Sequence, residues 1–167
     1  LKINLIGRNE ADMWNPHFLN SAAIAFFQRF SKNSIVDIGS GGGFPAVILK
    51  IFFPASRFVL IESVQKKSGF LIEVIETLQV QGIEVYTARA ERIYREIKFS
   101  KQFDFVTARA VATMKDLVPM ARGFLKKDGE MLFLKGRNVQ AELDELKLRN
   151  LPCTIRVQPL SEIDGLG

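Results

Sequence analysis

From residue 34 onward the apolar residues fall into two alternating kinds of run. Short blocks rich in β-branched and aromatic residues, "SIVDI" (34–38), "RFVLIE" (57–62), "IEVYTA" (83–88), "FDFVTA" (103–108) and "EMLFLK" (130–135), predict strands that are mostly buried. Longer stretches between them repeat apolar residues at helical spacing. Phe70, Leu71, Val74, Ile75 and Leu78 fall on one side of a helix over 66–80. "FPAVILKIFF" (44–53) predicts a helix with Pro45 in its first turn, and further helices are expected at 90–97, 114–125 and 138–149. Asp128-Gly129 predicts a turn and "TIRVQP" (154–159) a sixth strand. Upstream, Asn15-Pro16 reads as an N-cap followed by proline at the first helical position, after which Phe18, Leu19, Ala22, Ala23, Phe26, Phe27 and Phe30 recur at helical spacing.

Strands that alternate with helices argue a mostly parallel sheet with helices on both faces. Right-handed crossovers leave few ways to wind it. No repeat, linker or low-complexity stretch divides the chain, so one domain is expected over 1–167. Residues 1–33 form its N-terminal helical cap and 34–167 a Rossmann-like core. In such sheets ligands sit beyond the carboxyl ends of the strands.

"VDIGSGGGFP" (36–45) lies at that end of the first strand. Gly39, Gly41 and Gly43 follow G-x-G-x-G, with Gly42 in addition. Glycine admits positive φ and removes the Cβ that would keep a ligand off the backbone. The following helix aims free N–H groups at the turn. A merely tight turn is the plainer reading of so short a motif. Dinucleotide binding asks for G-x-G-x-x-G, but counted from Gly39 the third position is Phe44. A phosphate loop fails too, because no G-K-[ST] follows. S-adenosylmethionine fits better, since it carries no phosphate and needs only close passage of the turn. Its ribose requires a carboxylate after the second strand. Glu62 ends "FVLIE", about 25 residues after Asp37, close to the dinucleotide interval. Asp37 either faces the ligand's ammonium group or caps the helix by accepting loop N–H bonds.

Composition narrows the chemistry. With 167 residues, 47% hydrophobic and 25% charged, the chain suits one globular core. One cysteine, Cys153, and one histidine, His17, exclude an internal disulfide and a thiolate or multi-histidine metal site. A reducing cytoplasm is expected. No apolar run approaches the roughly 20 residues of a membrane span. The first residue is not methionine, so residues missing upstream are expected. A net charge of +5 favours an anionic partner such as nucleic acid.

"INLI" (3–6), "HFLNS" (17–21), "VDIGSGGGFP" (36–45), "LIES" (60–63), "KK" (66–67), "FL" (70–71), "RAE" (89–91), "TARAV" (107–111) and "LKG" (134–136) occur in one order. Together they resemble the glucose-inhibited division protein B family, bacterial 16S ribosomal RNA guanine-N7 methyltransferases. The resemblance covers nearly the whole chain, and "GFP", "RAE" and "ARAV" together are its specific part. It implies a class I S-adenosylmethionine methyltransferase fold, S-adenosylmethionine as donor, and a guanine in 16S rRNA as substrate. By the match, the turn Gly39, Ser40, Gly41, Gly43 and Phe44 holds the cofactor. Glu62, Ser63 and Val64 line the ribose and adenine edge, and Ala90 and Glu91 meet the adenine. Arg109 closes the site beside the transferred methyl group and is the catalytic candidate. Relatives often carry alanine where Gly42 stands, and they continue into a final strand beyond "EIDGLG" (162–167). That last strand is therefore expected to be missing.

Guanine N7 carries a free lone pair, so attack needs no general base, and none is evident. Holding nucleophile, methyl and sulfur in line supplies several kcal/mol of the barrier. N7 lies in the groove of A-form RNA that side chains hardly reach, so the guanine must be unpaired or swung out. Lys66, Lys67, Arg89, Lys135 and Arg137 all follow predicted strands and are the candidates for RNA contact at that rim. Arg109 either serves the reaction or pairs with Glu91. "RIYREIKFSK" (92–101) is basic with aromatics, which is more often a solvated helix face. A monomer without metal or membrane is expected. Two other readings share these features: a nicotinamide-dependent oxidoreductase of related architecture, and a catalytically silent RNA-binding scaffold.

Overall fold

The apolar blocks do form the sheet. A computed structural model describes residues 14–136, 139–147 and 154–159. Its strands are β1 (Ser34–Ile38), β2 (Arg57–Glu62), β3 (Ile83–Thr87), β4 (Phe103–Arg109) and β5 (Leu125–Leu134). They lie in the order β3-β2-β1-β4-β5, with every pairing parallel. The helices are α1 (Trp14–Leu19), wound in the wider π form and running into α2 (Asn20–Phe27), then α3 (Ala46–Phe52), α4 (Gln65–Thr77), α5 (Ala90–Ile93), α6 (Met114–Phe124) and α7 (Val139–Lys147). No helix among the described residues is long and apolar enough to cross a membrane.

Strand side chains alternate between the two faces. Ile35, Phe58, Leu60 and Phe105 pack beneath α2, α3 and α4, against Ile24, Phe30, Leu49 and Leu71. Phe30 stands edge-on to Phe53 and Phe105, with centroids 5.0 and 4.8 Å away. Val36, Ile38, Val59, Ile61 and Val106 face the other way, against Ile93, Phe99, Leu117, Ala121 and Phe124. The chain winds outward from β1 through β2 to β3, then returns to place β4 on the other side of β1. That reversal opens the crevice where open α/β sheets hold ligands.

Several expectations fail for local reasons. Asn15 does not cap a helix, because the helical turn already begins at Trp14. Pro16 then sits in the first turn, where an N–H has no acceptor to lose. The helix expected over 90–97 is regular only to Ile93, after which the chain runs on in single turns. Asp128-Gly129 is no separate turn. It falls in a bulge of β5, where pairing jumps from Phe103↔Leu125 to Phe105↔Glu130. Residues 154–159 form no strand and lie exposed, with Ile155 and Val157 half in solvent. Alternation offers an apolar face there, but no neighbouring strand pairs with it. Cys153, Arg137 and residues 3–6 lie outside the described residues.

The amino end of the sheet carries its own polar groups. Lys50, on α3, is 2% exposed and donates from Nζ to the carbonyls of Pro54 (2.8 Å) and Ser56 (2.6 Å). Asp104 accepts from the amide and hydroxyl of Ser34, both at 2.8 Å, and from Lys126 Nζ at 2.7 Å.

Candidate cofactor and substrate site

Period-two alternation places Asp37, Glu62, Thr107 and Arg109 on the α2–α4 face, at or near the carboxyl ends of β1, β2 and β4. The glycine turn lies over them. Gly39 N and Ser40 N donate to Ile61 O at 2.8 and 3.1 Å, tying the exit of β1 to β2. Gly39, Gly41 and Gly43 all have left-handed φ, at 68°, 53° and 92°, whereas Gly42 does not. Glycine is thus required at the first three and not at the fourth. A Cβ on Gly39 would stand 2.7 Å from Val111 Cγ2, and one on Gly43 2.7 Å from Val47 Cγ2. On Gly41 it would meet nothing nearer than 3.8 Å, so that glycine borders open space.

Glu62 is 5% exposed, not a solvated loop acid. Its Oε2 accepts from Gly41 N at 2.9 Å and its Oε1 from Val64 N at 2.8 Å. A carboxylate offers about four acceptor positions, which leaves capacity for two more donors. The carbonyl of Glu62 accepts from Ala88 N at 3.0 Å, which ties the exit of β3, and with it Ala90 and Glu91, to the same end. Ala90 is buried, while Ser63, Val64 and Glu91 are exposed along the edge.

Asp37 is fully buried and accepts from Thr107 Oγ1 at 2.6 Å, its register partner on β4. It accepts no loop N–H among the described residues, so it is not a helix cap. Its Oδ2 has no hydrogen-bond partner among the described residues. Burial pushes its carboxyl up to about 7, against the pull of Thr107, Ser40 and Arg109. Across the crevice, the Arg109 guanidinium stands 5.8 Å from the Phe44 ring centroid, and its Nη2 donates to His17 Nδ1. Its Nη1 is buried without a partner among the described residues. Burial lowers the Arg109 pKa, and the Asp37 charge opposes that shift. No ion pair joins Arg109 to Glu91 among the described residues. The His17 and Phe18 rings lie 5.6 and 5.2 Å from the Phe44 ring, so the helical cap closes over the glycine turn.

Beyond Arg109 the chain turns sharply at Ala110, whose φ is 52°. The turn borders an open cavity of about 420 Å³ between the exits of β4 and β5, lined by Ala110, Val111, Thr113, Lys135, Gly136 and Glu142. Lys66 and Arg89 are exposed on the rim and Lys67 is half-buried. Lys66 and Lys67 stand in the first turn of α4, where the helix dipole disfavours cations. Lys135 is different. Its ammonium donates to Ala112 O at 2.7 Å and pairs with Glu142 at 2.7 Å, and its side chain is 10% exposed. It lines the cavity instead of facing outward as a free cation.

Thr107 and the cap residues His17 and Phe18 are members of the site that sequence reasoning missed. Thr107 was open to a parity argument, standing two residues before Arg109. No sequence signal marks the contact of His17 with a residue 92 positions away.

Residues 1–164 match the protein family described as "rRNA small subunit methyltransferase G", GidB. The chain belongs to that family. Ribosomal RNA small subunit methyltransferases G from Mesoplasma florum and from a Thermoanaerobacter species are 39% and 38% identical to it, over 88% and 86% of the chain. The chain spans 62% and 60% of the length of these two GidB-family proteins. The fold is also that of solved methyltransferases. A ribosomal protein L11 methylase from Lactobacillus delbrueckii superposes with TM-score 0.66 at 16% identity, covering 95% of this chain and 79% of that one. An S-adenosylmethionine-dependent O-methyltransferase from Thermotoga maritima gives 0.65 at 15% identity, over 80% and 50%.

Proposed function

We propose that this chain binds S-adenosylmethionine and methylates N7 of a guanine in bacterial 16S ribosomal RNA. The observation that carries the reading is a pair of unpartnered buried atoms, Asp37 Oδ2 and Arg109 Nη1, beside the glycine turn. Orphaned groups of this kind are costly unless a ligand completes them. The orphaned acceptor, Asp37 Oδ2, suits an ammonium group such as that of S-adenosylmethionine, and the orphaned donor, Arg109 Nη1, suits an acceptor atom on the molecule that receives the methyl group. S-adenosylmethionine supplies the methyl group, carried on a sulfonium.

In this reading Asp37 takes the ammonium group, which draws its carboxyl into the ionised form. Glu62 uses its remaining acceptor positions for the ribose hydroxyls. The open side of Gly41 admits the nucleoside, and Ser40, Ser63, Val64, Ala90 and Glu91 edge the adenine and ribose. Phe44 stacks behind Arg109 and helps fix its direction. Arg109 Nη1 donates to guanine O6 and so turns N7 toward the methyl group. N7 attacks with its own lone pair, so no residue needs to remove a proton. The cavity beside Ala110 has room for a purine swung out of its stack. Lys66, Lys67 and Arg89 hold phosphates at the rim, while Lys135 shapes the purine cavity through Glu142. The 167 residues act as one domain, as a monomer in the cytoplasm.

Two measurements test the reading. Calorimetry should show S-adenosylhomocysteine binding and no NAD binding. NAD binding in its place would restore the oxidoreductase. Incubation with labelled donor and undermethylated 16S rRNA should place label on N7-methylguanosine. RNA binding without transfer would leave only a scaffold.

A further inference from the structure

The segment after β3 carries cations at every third position: Arg89, Arg92, Arg95, Lys98 and Lys101, all exposed. It is not a helix face beyond Ile93. It continues in short turns that mix three-residue bonds, Arg92 N to Arg89 O, Glu96 N to Ile93 O and Phe99 N to Glu96 O, with four-residue ones, Tyr94 N to Ala90 O and Ser100 N to Glu96 O. In turns of this type, residues three apart fall on the same side. The opposite side is anchored, since Ala90, Ile93 and Phe99 are buried in the core. The segment therefore presents one row of cations, running from the rim beside the site to the amino end of β4.

Little within the protein neutralises it. Among the described residues only Lys98 is in an ion pair, a loose one of 4.0 Å with Glu96. Two of the cations are steadied by aromatic rings. The Arg95 guanidinium lies 5.0 Å from the Tyr94 centroid, and Lys98 Nζ lies 4.7 Å from those of Tyr86 and Phe99. These rings are themselves buried or half-buried, so they offer no open face on which a base could stack. The row is equipped to meet charge, not bases.

We infer that Arg89 to Lys101 is a phosphate track, along which the substrate's RNA backbone runs from the site down the flank of α5. The inference rests on the rRNA reading of the site. The track adds affinity without sequence preference and leaves the chemistry alone.

The test is the double variant Arg92→Gln/Arg95→Gln, with Arg29→Gln/Lys32→Gln on the α2 side as a control of equal charge. Binding of a fluorescent single-stranded oligouridylate and of undermethylated 16S rRNA is measured against salt. Steady-state methylation is measured alongside. The track variant should bind both RNAs about tenfold more weakly, with a log–log salt slope shallower by about 1.4. Its KM for rRNA should rise while kcat and S-adenosylhomocysteine affinity hold. Unchanged RNA affinity overturns the track, and so does an equal loss in the control, which would reduce the effect to net charge. A parent protein that binds RNA but transfers no methyl group sinks the proposed activity, while the comparison of variants still decides the track.

Discussion

The two ends of the sheet treat buried polar groups in opposite ways. At the amino end the buried Lys50 and the partly exposed Asp104 are completed by the protein itself, through the carbonyls of Pro54 and Ser56 and through Ser34 and Lys126. At the carboxyl end Asp37 and Arg109 each keep one buried atom without a partner among the described residues. The same strands run through both ends, so strand sequence alone does not cause the difference. It arises from what lies over each end. Closed loops supply backbone acceptors at the amino end. At the carboxyl end, glycines hold the backbone in left-handed turns that leave space open at Gly41. A polar group completed by its own chain stabilises the fold. One left incomplete costs stability until a ligand arrives, and that cost marks a binding site.

The largest effect should come from removing the incomplete acid. The folded-state pKa of Asp37 is raised from 3.8 to about 7. The unfolded chain therefore releases this proton at lower pH than the folded one, and stability falls as pH rises between those values. Between pH 4 and pH 8 the parent chain should lose roughly 4 kcal/mol more stability than Asp37→Asn, by urea unfolding at each pH. Equal slopes would mean that Asp37 is not protonated in the fold. Calorimetry with S-adenosylhomocysteine sharpens the point. Near pH 6, binding should release a proton in the parent and none in the variant, seen as a dependence of the measured heat on buffer.

At the completed end, Lys50→Met should act on stability alone. The variant keeps most of the side chain's bulk but strips the Pro54 and Ser56 carbonyls of their donor. A loss of about 3 kcal/mol is expected from one buried and one partly buried acceptor left without a donor. Below the melting transition, S-adenosylhomocysteine affinity should be unchanged. A change in affinity would mean that the two ends are coupled and the contrast between them is false.

The same contrast explains which parts were legible in the sequence. β1 and β2 coincide with their apolar blocks and β4 differs from its block by one residue, because strands buried on both faces read as continuous apolar runs; β3, an edge strand with only Ile83 buried, also differs by one residue and was marked by its β-branched and aromatic residues. That Glu62 and the glycines meet at the carboxyl end of the strands was legible because their places depend on order along the chain. The bulge in β5 was not, since it depends on how β4 pairs. Nor was the failure of 154–159 to form a strand, where alternation is present but a partner strand is not. Asp37 was left between two roles because its Thr107 contact joins residues 70 positions apart, and only the register of β1 on β4 brings them together.

The smallest change in free energy should come from Arg109→Ala, and it should fall on turnover. The guanidinium is held from two sides, by the Phe44 ring and by His17, while its Nη1 points to no protein acceptor. Loss of a side chain already half-satisfied should cost stability little, within about 1 kcal/mol, because the orphaned donor disappears with it. Loss of a positioned donor at the reacting base should cost about 100-fold in kcat, equivalent to about 2.7 kcal/mol. Arg109→Lys should recover only part of this, since an ammonium cannot both lie against Phe44 and reach past it as the planar fork does. Single-turnover methyl transfer and thermal unfolding on the same preparations check the split. Parallel losses in both, restored together by lysine, would make Arg109 a structural charge and move it to the same class as Lys50.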